Sequence, residues 1–213
     1  MGDPRFAHAA DVVRIIWSRD GGSIATVDKE ETVRLWKVST GLERRFDPPA
    51  QSSGAGVALS PDGRPLVGVA YERKQTCDVL TAWRTETGEI QWQSERTGEV
   101  GKEVFFVAEG RRLLTLDGDR RARIREAGTG AVIRELGDGG TGLRQLRVSP
   151  KGDRAATVDE DGRVQIWDVQ SAEPRVDLDG PPGFITLVGF LPRGLTLLTA
   201  SAIGGIQTWD VDT

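Results

Sequence analysis

Cysteine and histidine each occur only once in this 213-residue sequence, as Cys77 and His8. A disulfide framework needs at least two cysteines, and a zinc site needs several Cys or His ligands, so the sequence excludes both. A catalytic Cys-His pair would need support that the surrounding sequence does not offer. We therefore expect no catalytic residues, no metal and no cofactor.

Charge of one sign and long apolar runs are also missing. The chain has 28 Lys and Arg residues against 32 Asp and Glu residues, and the two signs are mixed along its length. This balance gives little electrostatic support for nucleic-acid or membrane partners. The sequence has no stretch of about 18 apolar residues, and Met1 to Ala10 do not form a signal segment. We expect a cytoplasmic protein with no membrane contact.

Two sequence markers recur with a period of about 42 residues. The first is a tryptophan or its substitute, at Trp36, Trp83, Arg125, Trp167 and Trp209. The second is a turn glycine, at Gly21, Gly63, Gly110, Gly152 and Gly194. A regular period of this size indicates one supersecondary unit that is repeated and stacked on its neighbours.

The fourth copy shows the pattern of one unit most clearly. Leu143 to Val148 alternates apolar and polar residues, and Ser149 to Gly152 supplies turn chemistry. Arg154 to Val158, Arg163 to Val169 and the weaker Arg175 to Leu178 follow as three further strands. No long segment has a helical period. Four antiparallel strands in a repeat of this length predict an all-β propeller of about five blades.

The residues that end the third strands carry a family resemblance. Trp167-Asp168 and Trp209-Asp210 stand at this place, with Trp36-Lys37 in the first copy, so the chain resembles the WD-repeat (tryptophan-aspartate repeat) propellers. We expect a single domain over residues 1–213, with repeats near 8–47, 53–94, 100–137, 142–179 and 184–213. The resemblance implies a non-catalytic scaffold for binding other proteins.

The resemblance also implies a structural hydrogen-bond relay within each blade. In the first copy His8 would bridge Glu30 and Thr26, and Thr26 would reach the indole of Trp36. The later copies keep only part of this set. The retained members are Thr115 and Asp119 in the third copy, Thr157, Asp161 and Trp167 in the fourth, and Thr199 and Trp209 in the fifth.

The second copy contains a five-residue insertion between its second and third strands. The spacing from Gly63 to Trp83 is 20 residues, whereas it is 15 in the other copies. The inserted stretch includes Tyr71, Arg73 and Lys74, residue types that anchor protein interfaces, so it is a candidate partner-binding loop. Tolerated variation in loop length is the other interpretation.

Two further alternatives stay open. Thr87-Gly88 followed by Trp92 is similar to the blade motif of quinoprotein-like propellers, so a small molecule in the central channel is the alternative function. The five blades could close into a ring, with Pro4 to Ala7 as the outer strand of the last blade. They could instead form an arc of a larger propeller, whose exposed ends favour homo-oligomers or require missing blades.

Overall fold

A computed structural model describes residues 10–30, 32–41, 43–46, 56–72, 77–94, 103–137, 142–178 and 184–211. These residues form 19 strands in five antiparallel sheets. The strands are β1 (Val12–Trp17), β2 (Ser23–Asp28), β3 (Val33–Lys37), β4 (Glu43–Phe46), β5 (Gly56–Leu59), β6 (Pro65–Glu72), β7 (Cys77–Arg84), β8 (Ile90–Gln93), β9 (Glu103–Val107), β10 (Arg112–Leu116), β11 (Ala122–Glu126), β12 (Val132–Glu135), β13 (Leu143–Val148), β14 (Arg154–Asp159), β15 (Val164–Asp168), β16 (Pro174–Leu178), β17 (Ile185–Phe190), β18 (Thr196–Ser201) and β19 (Gly205–Asp210).

Each sheet is one blade in which consecutive strands are hydrogen-bonded neighbours. The first four blades have four strands each, and the fifth has three, in the order β17-β18-β19. The predicted all-β propeller of about five blades is confirmed. The prediction that Pro4 to Ala7 adds an outer strand to the last blade lies outside the described residues.

The turn that joins the first two strands of each blade explains the recurring glycine. All five glycines, Gly21, Gly63, Gly110, Gly152 and Gly194, have φ between 70° and 86°. Side chains with a Cβ rarely adopt this conformation. In three blades a serine before the glycine also donates a hydrogen bond to a nearby aspartate, as Ser60 Oγ does to Asp62 at 2.6 Å. The turn therefore fixes the blade's register through both backbone and side chain.

The hydrophobic core lies between the blades. We call the face of a blade toward the preceding blade its N-side face and the opposite one its C-side face. Four buried clusters fill the four successive interfaces, and each combines C-side residues of one blade with N-side residues of the next. Leu114 and Leu146 are such a pair between the third and fourth blades. Alternation along each strand supplies both faces, since successive side chains point to opposite sides of a sheet.

The blades form an arc. The extensive strand contacts between sheets join consecutive blades, namely β1 with β5, β5 with β9, β9 with β13 and β13 with β17. In the described part of the chain, no contact of similar extent joins the first blade to the fifth.

Candidate functional site

Three blades join the third-strand tryptophan to a second-strand threonine. The indole Nε1 of Trp36 donates to Thr26 Oγ1 at 2.7 Å, and Trp167 and Trp209 donate to Thr157 and Thr199 at 2.8 Å each. The antiparallel register of the second and third strands places each pair ten residues apart in sequence. A buried indole N–H needs an acceptor, so this bond fixes the orientation of the ring. Trp167 and Trp209 lie in the interface with the preceding blade.

The carboxylates predicted for the relay are not the buried ones. Glu30, Asp119 and Asp161 are exposed at the surface of their turns. The buried aspartates lie two residues earlier. Asp28 and Asp159 end the second strand of their blades, and Asp117 directly follows it. Asp28 Oδ1 accepts the backbone N–H groups of Glu30 and Thr32 at 3.0 and 2.9 Å, and Asp159 accepts that of Arg163 at 2.9 Å.

Sequence reasoning missed these aspartates, although a signal for them exists. Thr-Val-Asp occurs at the same place in the first and fourth copies, ending at Asp28 and Asp159. Aspartate commonly caps the backbone of a turn that follows it, so these residues hold the hairpin between the second and third strands. His8, the remaining member of the predicted relay, lies outside the described residues.

The third blade replaces tryptophan with a buried arginine. Arg125 Nε donates to Thr115 Oγ1 at 3.1 Å, Nη1 donates to the Gly130 carbonyl at 3.2 Å, and Nη2 donates to Asp117 Oδ2 at 2.7 Å. Arg125 and Asp117 are 2% and 3% exposed. A buried charge is tolerated only when it is paired and hydrogen-bonded, so the two residues depend on each other.

A second arginine extends this network to the surface. Arg123 Nη1 donates to Asp117 Oδ2 at 2.6 Å and also pairs with Asp119 and Glu135. Hydrogen bonding to Asp119 raises the pKa of Arg123, and the same contact lowers the pKa of the Asp119 carboxyl. Asp119, a predicted relay residue, therefore serves as the exposed partner of Arg123.

The second blade has no threonine beside its tryptophan. Gly68 takes that position, and a Cβ on Gly68 would lie 2.8 Å from Trp83 Cζ3. The ring of Trp83 therefore occupies the space that threonine fills in the other blades. In the same blade Trp92 donates to the Ala127 carbonyl at 2.9 Å and packs on Gly130 of the third blade. The residue that suggested a quinoprotein motif thus makes a contact between blades.

The insertion of the second blade is a longer hairpin. Strands β6 and β7 pair over eight residue positions, from Pro65 opposite Arg84 to Glu72 opposite Cys77. The equivalent pairs of strands match over five or six positions in the other blades. Tyr71 lies in β6 opposite Asp78, whereas the sequence analysis placed it in a loop. Extending both strands satisfies their backbone groups within the sheet. Arg73 and Lys74 lie outside the described residues.

The additional pairs make this hairpin longer than the equivalent hairpins of the other blades. At about 3.3 Å per residue, two or three extra pairs lengthen the hairpin by about 7–10 Å. We call this extension, residues 70–78, the hairpin arm. It rises from the end of the blades where the second strand meets the third, beside the turns that hold Asp28, Asp117 and Asp159. A partner on this end of the molecule would meet the arm first.

The innermost strands enclose an open cavity of about 660 Å³. Arg14, Phe105 and Arg147 are among its lining residues. Glu103 pairs with Arg147 and accepts the backbone N–H of Leu146 at 2.9 Å, which ties the third blade to the fourth. Across the described ranges, no three His, Cys, Asp or Glu residues are placed to hold a metal ion. The described residues contain no helix long and apolar enough to span a membrane.

The repeat geometry agrees with a family model. The model of the WD domain, G-beta repeat, matches residues 131–168, which cover the outer strand of the third blade and three strands of the fourth. In this segment the chain is similar to the WD-repeat propellers. The match ends at Asp168, just after Trp167, whose indole is bonded to Thr157.

Curated relatives resemble this chain over nearly its whole length. Telomerase protein component 1 of Rattus norvegicus is 26% identical over 208 residues, which are 98% of this chain and 7% of that protein. WD repeat-containing protein 1 of Rattus norvegicus and of Bos taurus is 26% identical over 215 residues, covering 96% of this chain and 34% of each relative. This chain therefore spans about a third or less of the length of these relatives.

A solved propeller shows the same fold. The structure described as the Myceliophteria thermophila Cps50 (Swd1) beta-propeller domain superposes with a TM-score of 0.74. The two sequences are 15% identical, and the match covers 96% of this chain and 66% of that one. At this identity the likeness concerns the fold alone.

Proposed function

We propose that this chain is a non-catalytic scaffold that binds other proteins through the hairpin arm. The observation that carries the proposal is the pairing of β6 with β7 out to Glu72 and Cys77. Related WD-repeat propellers support the general scaffold role. The single domain over residues 1–213 and the cytoplasmic location are part of the same proposal.

The arm has a composition suited to an interface. Its sequence, Tyr71 to Thr76, contains one aromatic residue, two cations and one acid. Tyrosine and arginine are enriched at the centres of protein interfaces because they combine apolar area with hydrogen-bonding groups. Tyr71 and Glu72 lie in β6, which is paired with β7, and backbone that is already ordered in a strand reduces the entropy lost when a partner binds.

The test is affinity capture with two matched triple variants. The arm variant carries Tyr71→Ala, Arg73→Ala and Lys74→Ala. The control variant carries Lys151→Ala, Arg193→Ala and Leu195→Ala, which are exposed residues in the turns at the opposite end of the blades. Both variants remove two cations and one large apolar side chain. Melting curves establish that each variant is folded.

We expect wild type and the control variant to capture the same partner proteins. The arm variant should capture at least tenfold less of each, as measured by quantitative mass spectrometry. Equal retention by the arm variant would remove the arm as the contact site. A chain that enriches no protein above an unrelated bait would overturn the scaffold proposal itself.

A further inference from the structure

The N-side face of the first blade is exposed at positions that every other blade buries. Ile15, six residues before its turn glycine, is 62% exposed. The equivalent residues are between 0% and 6% exposed, and they are Val57, Val104, Leu146 and Val188. On the same face Ile24 is partly exposed, whereas its equivalents in the other four blades are fully buried. Trp36, on the same face, is already buried, so the positions that a preceding blade would cover are those of Ile15 and Ile24.

The C-side face of the fifth blade shows the complementary pattern. Ile206, twelve residues after its turn glycine, is 70% exposed. Its equivalents are 0% or 1% exposed, and they are Val33, Leu80, Ala122 and Val164. Leu198 is partly exposed, whereas Ala25, Val67, Leu114 and Ala156 at its position are fully buried. This face is therefore built to cover the next blade.

The two exposed faces are the two halves of a contact that the chain already makes four times. In each internal interface, the residue equivalent to Leu198 belongs to the same buried cluster as the residue equivalent to Ile15. The residues equivalent to Leu187 also contact the next blade in two of the internal interfaces. Glu103 accepts a hydrogen bond from Leu146 N–H, and Gln145 donates one to the Ile185 carbonyl. Leu187 is exposed and apolar, so a contact through it leaves no polar group unpaired at that position.

We propose that the C-side face of the fifth blade binds the N-side face of the first blade of a second copy of this chain, head to tail. The contact continues the established interface between blades, with Leu198 and Ile206 of one copy against Ile15 and Ile24 of the other. Exposed apolar surface of this kind drives association. Each copy carries both halves, and the two halves are different surfaces, so the contact is heterologous.

Two charge substitutions and their mixture test this arrangement. Ile15→Arg blocks the N-side face, and Ile206→Arg blocks the C-side face. Ile133→Arg is the matched control, because Ile133 is an exposed isoleucine on the outer strand of the third blade. The measurement is the mass in solution by light scattering over a wide concentration range, with a melting curve for each variant.

We expect wild type and Ile133→Arg to exceed the monomer mass of 23.1 kDa, increasingly so with concentration. Each blocked variant alone should be monomeric. An equimolar mixture of the two blocked variants should form a dimer and no larger species, because one intact face of each kind remains.

Three results would overturn the proposal. Wild type that stays monomeric at every concentration would show that the two faces do not bind a second copy of this chain. Association that persists in either blocked variant would place the contact elsewhere. A mixture that stays monomeric, beside a wild type that associates, would exclude the head-to-tail geometry.

Discussion

Arg125 and Asp117 form a buried ion pair in the third blade, with Nη2 and Oδ2 2.7 Å apart. Arg125 takes the place of the tryptophan that three other blades join to a threonine, and Asp117 lies two residues after that threonine. The guanidinium keeps the threonine contact through Nε, and it adds a charge that Asp117 must balance. Arginine at position 125 is thus compatible with the fold because Asp117 balances its charge.

This dependence predicts a strong coupling between the two positions. Asp117→Ser alone should lower the free energy of unfolding by about 3–5 kcal/mol, since it leaves the buried guanidinium of Arg125 without its charged partner. Arg125→Trp alone should lower it by less, since Asp117 keeps its contact with Arg123. The double variant installs the residues of the fifth blade, Trp209 and Ser201, and should lie within about 1 kcal/mol of wild type. Urea unfolding of all four proteins gives the coupling energy. If the double variant lost as much free energy of unfolding as the two single variants together, the predicted coupling would be wrong.

Trp167 should be a major contributor to stability. Trp167→Ala removes a buried ring from the interface between the third and fourth blades and should destabilise by about 3–5 kcal/mol. Total stabilities of about 5–15 kcal/mol are usual, so the loss is large. Trp17→Ala is the control, because Trp17 is mostly exposed and its loss should change stability by less than about 0.5 kcal/mol. If Trp167→Ala and Trp17→Ala lowered stability equally in thermal and urea unfolding, the assignment of Trp167 to the core would be wrong.

Gly68 should resist even the smallest side chain. A Cβ there would lie 2.8 Å from Trp83 Cζ3, so Gly68→Ala forces the indole to move and should destabilise by about 1–3 kcal/mol. Gly189→Ala is the matched control in the innermost strand of the fifth blade, where a Cβ would meet no atom within 4 Å. It should be neutral within about 0.5 kcal/mol. Similar melting temperatures for the two variants would show that Trp83 adapts freely.

Asp168 should contribute to stability above the acid range and lose that contribution in acid. Hydrogen bonds from the backbone N–H groups of Ser171 and Gln170 lower the pKa of its carboxyl, with a weaker effect from Arg175. A carboxyl whose pKa is lower in the folded state stabilises the fold above the unfolded value of about 3.9. The contribution disappears as pH falls through the folded value.

Asp168→Asn should therefore be less stable than wild type at pH 7, and its stability should fall less steeply below about pH 4. Urea unfolding between pH 2 and 7 measures both effects, with Asp161→Asn as a control in an exposed turn. An acid slope identical to that of wild type would show that Asp168 plays no part in it.

Local chemistry repeated at a fixed period was sufficient to predict the fold. The turn glycines, the alternating strands and the tryptophans recur about every 42 residues, so the sequence predicted the blades and the position of Trp167 in one of them. The propeller architecture follows from these local signals because each strand and turn has its own residue preferences.

The choice between neighbouring residues was beyond the sequence. Asp28 is buried and Glu30 is exposed, although both are acidic and lie in one turn, because the strand register orients one of them into the hairpin. Likewise, Tyr71 and Glu72 could extend the second strand of their blade or belong to a loop, and backbone pairing in the folded sheet places them in the strand.

The ends of the arc show the same limit most clearly. Ile15 and Val57 stand at equivalent places in their repeats, and both are β-branched apolar residues, so the sequence predicts the same burial for both. Only the arrangement of whole blades leaves Ile15 exposed while Val57 is covered by the first blade. Burial depends on which neighbour is present, and a repeated sequence specifies the faces of a blade without specifying what packs against the first and the last of them.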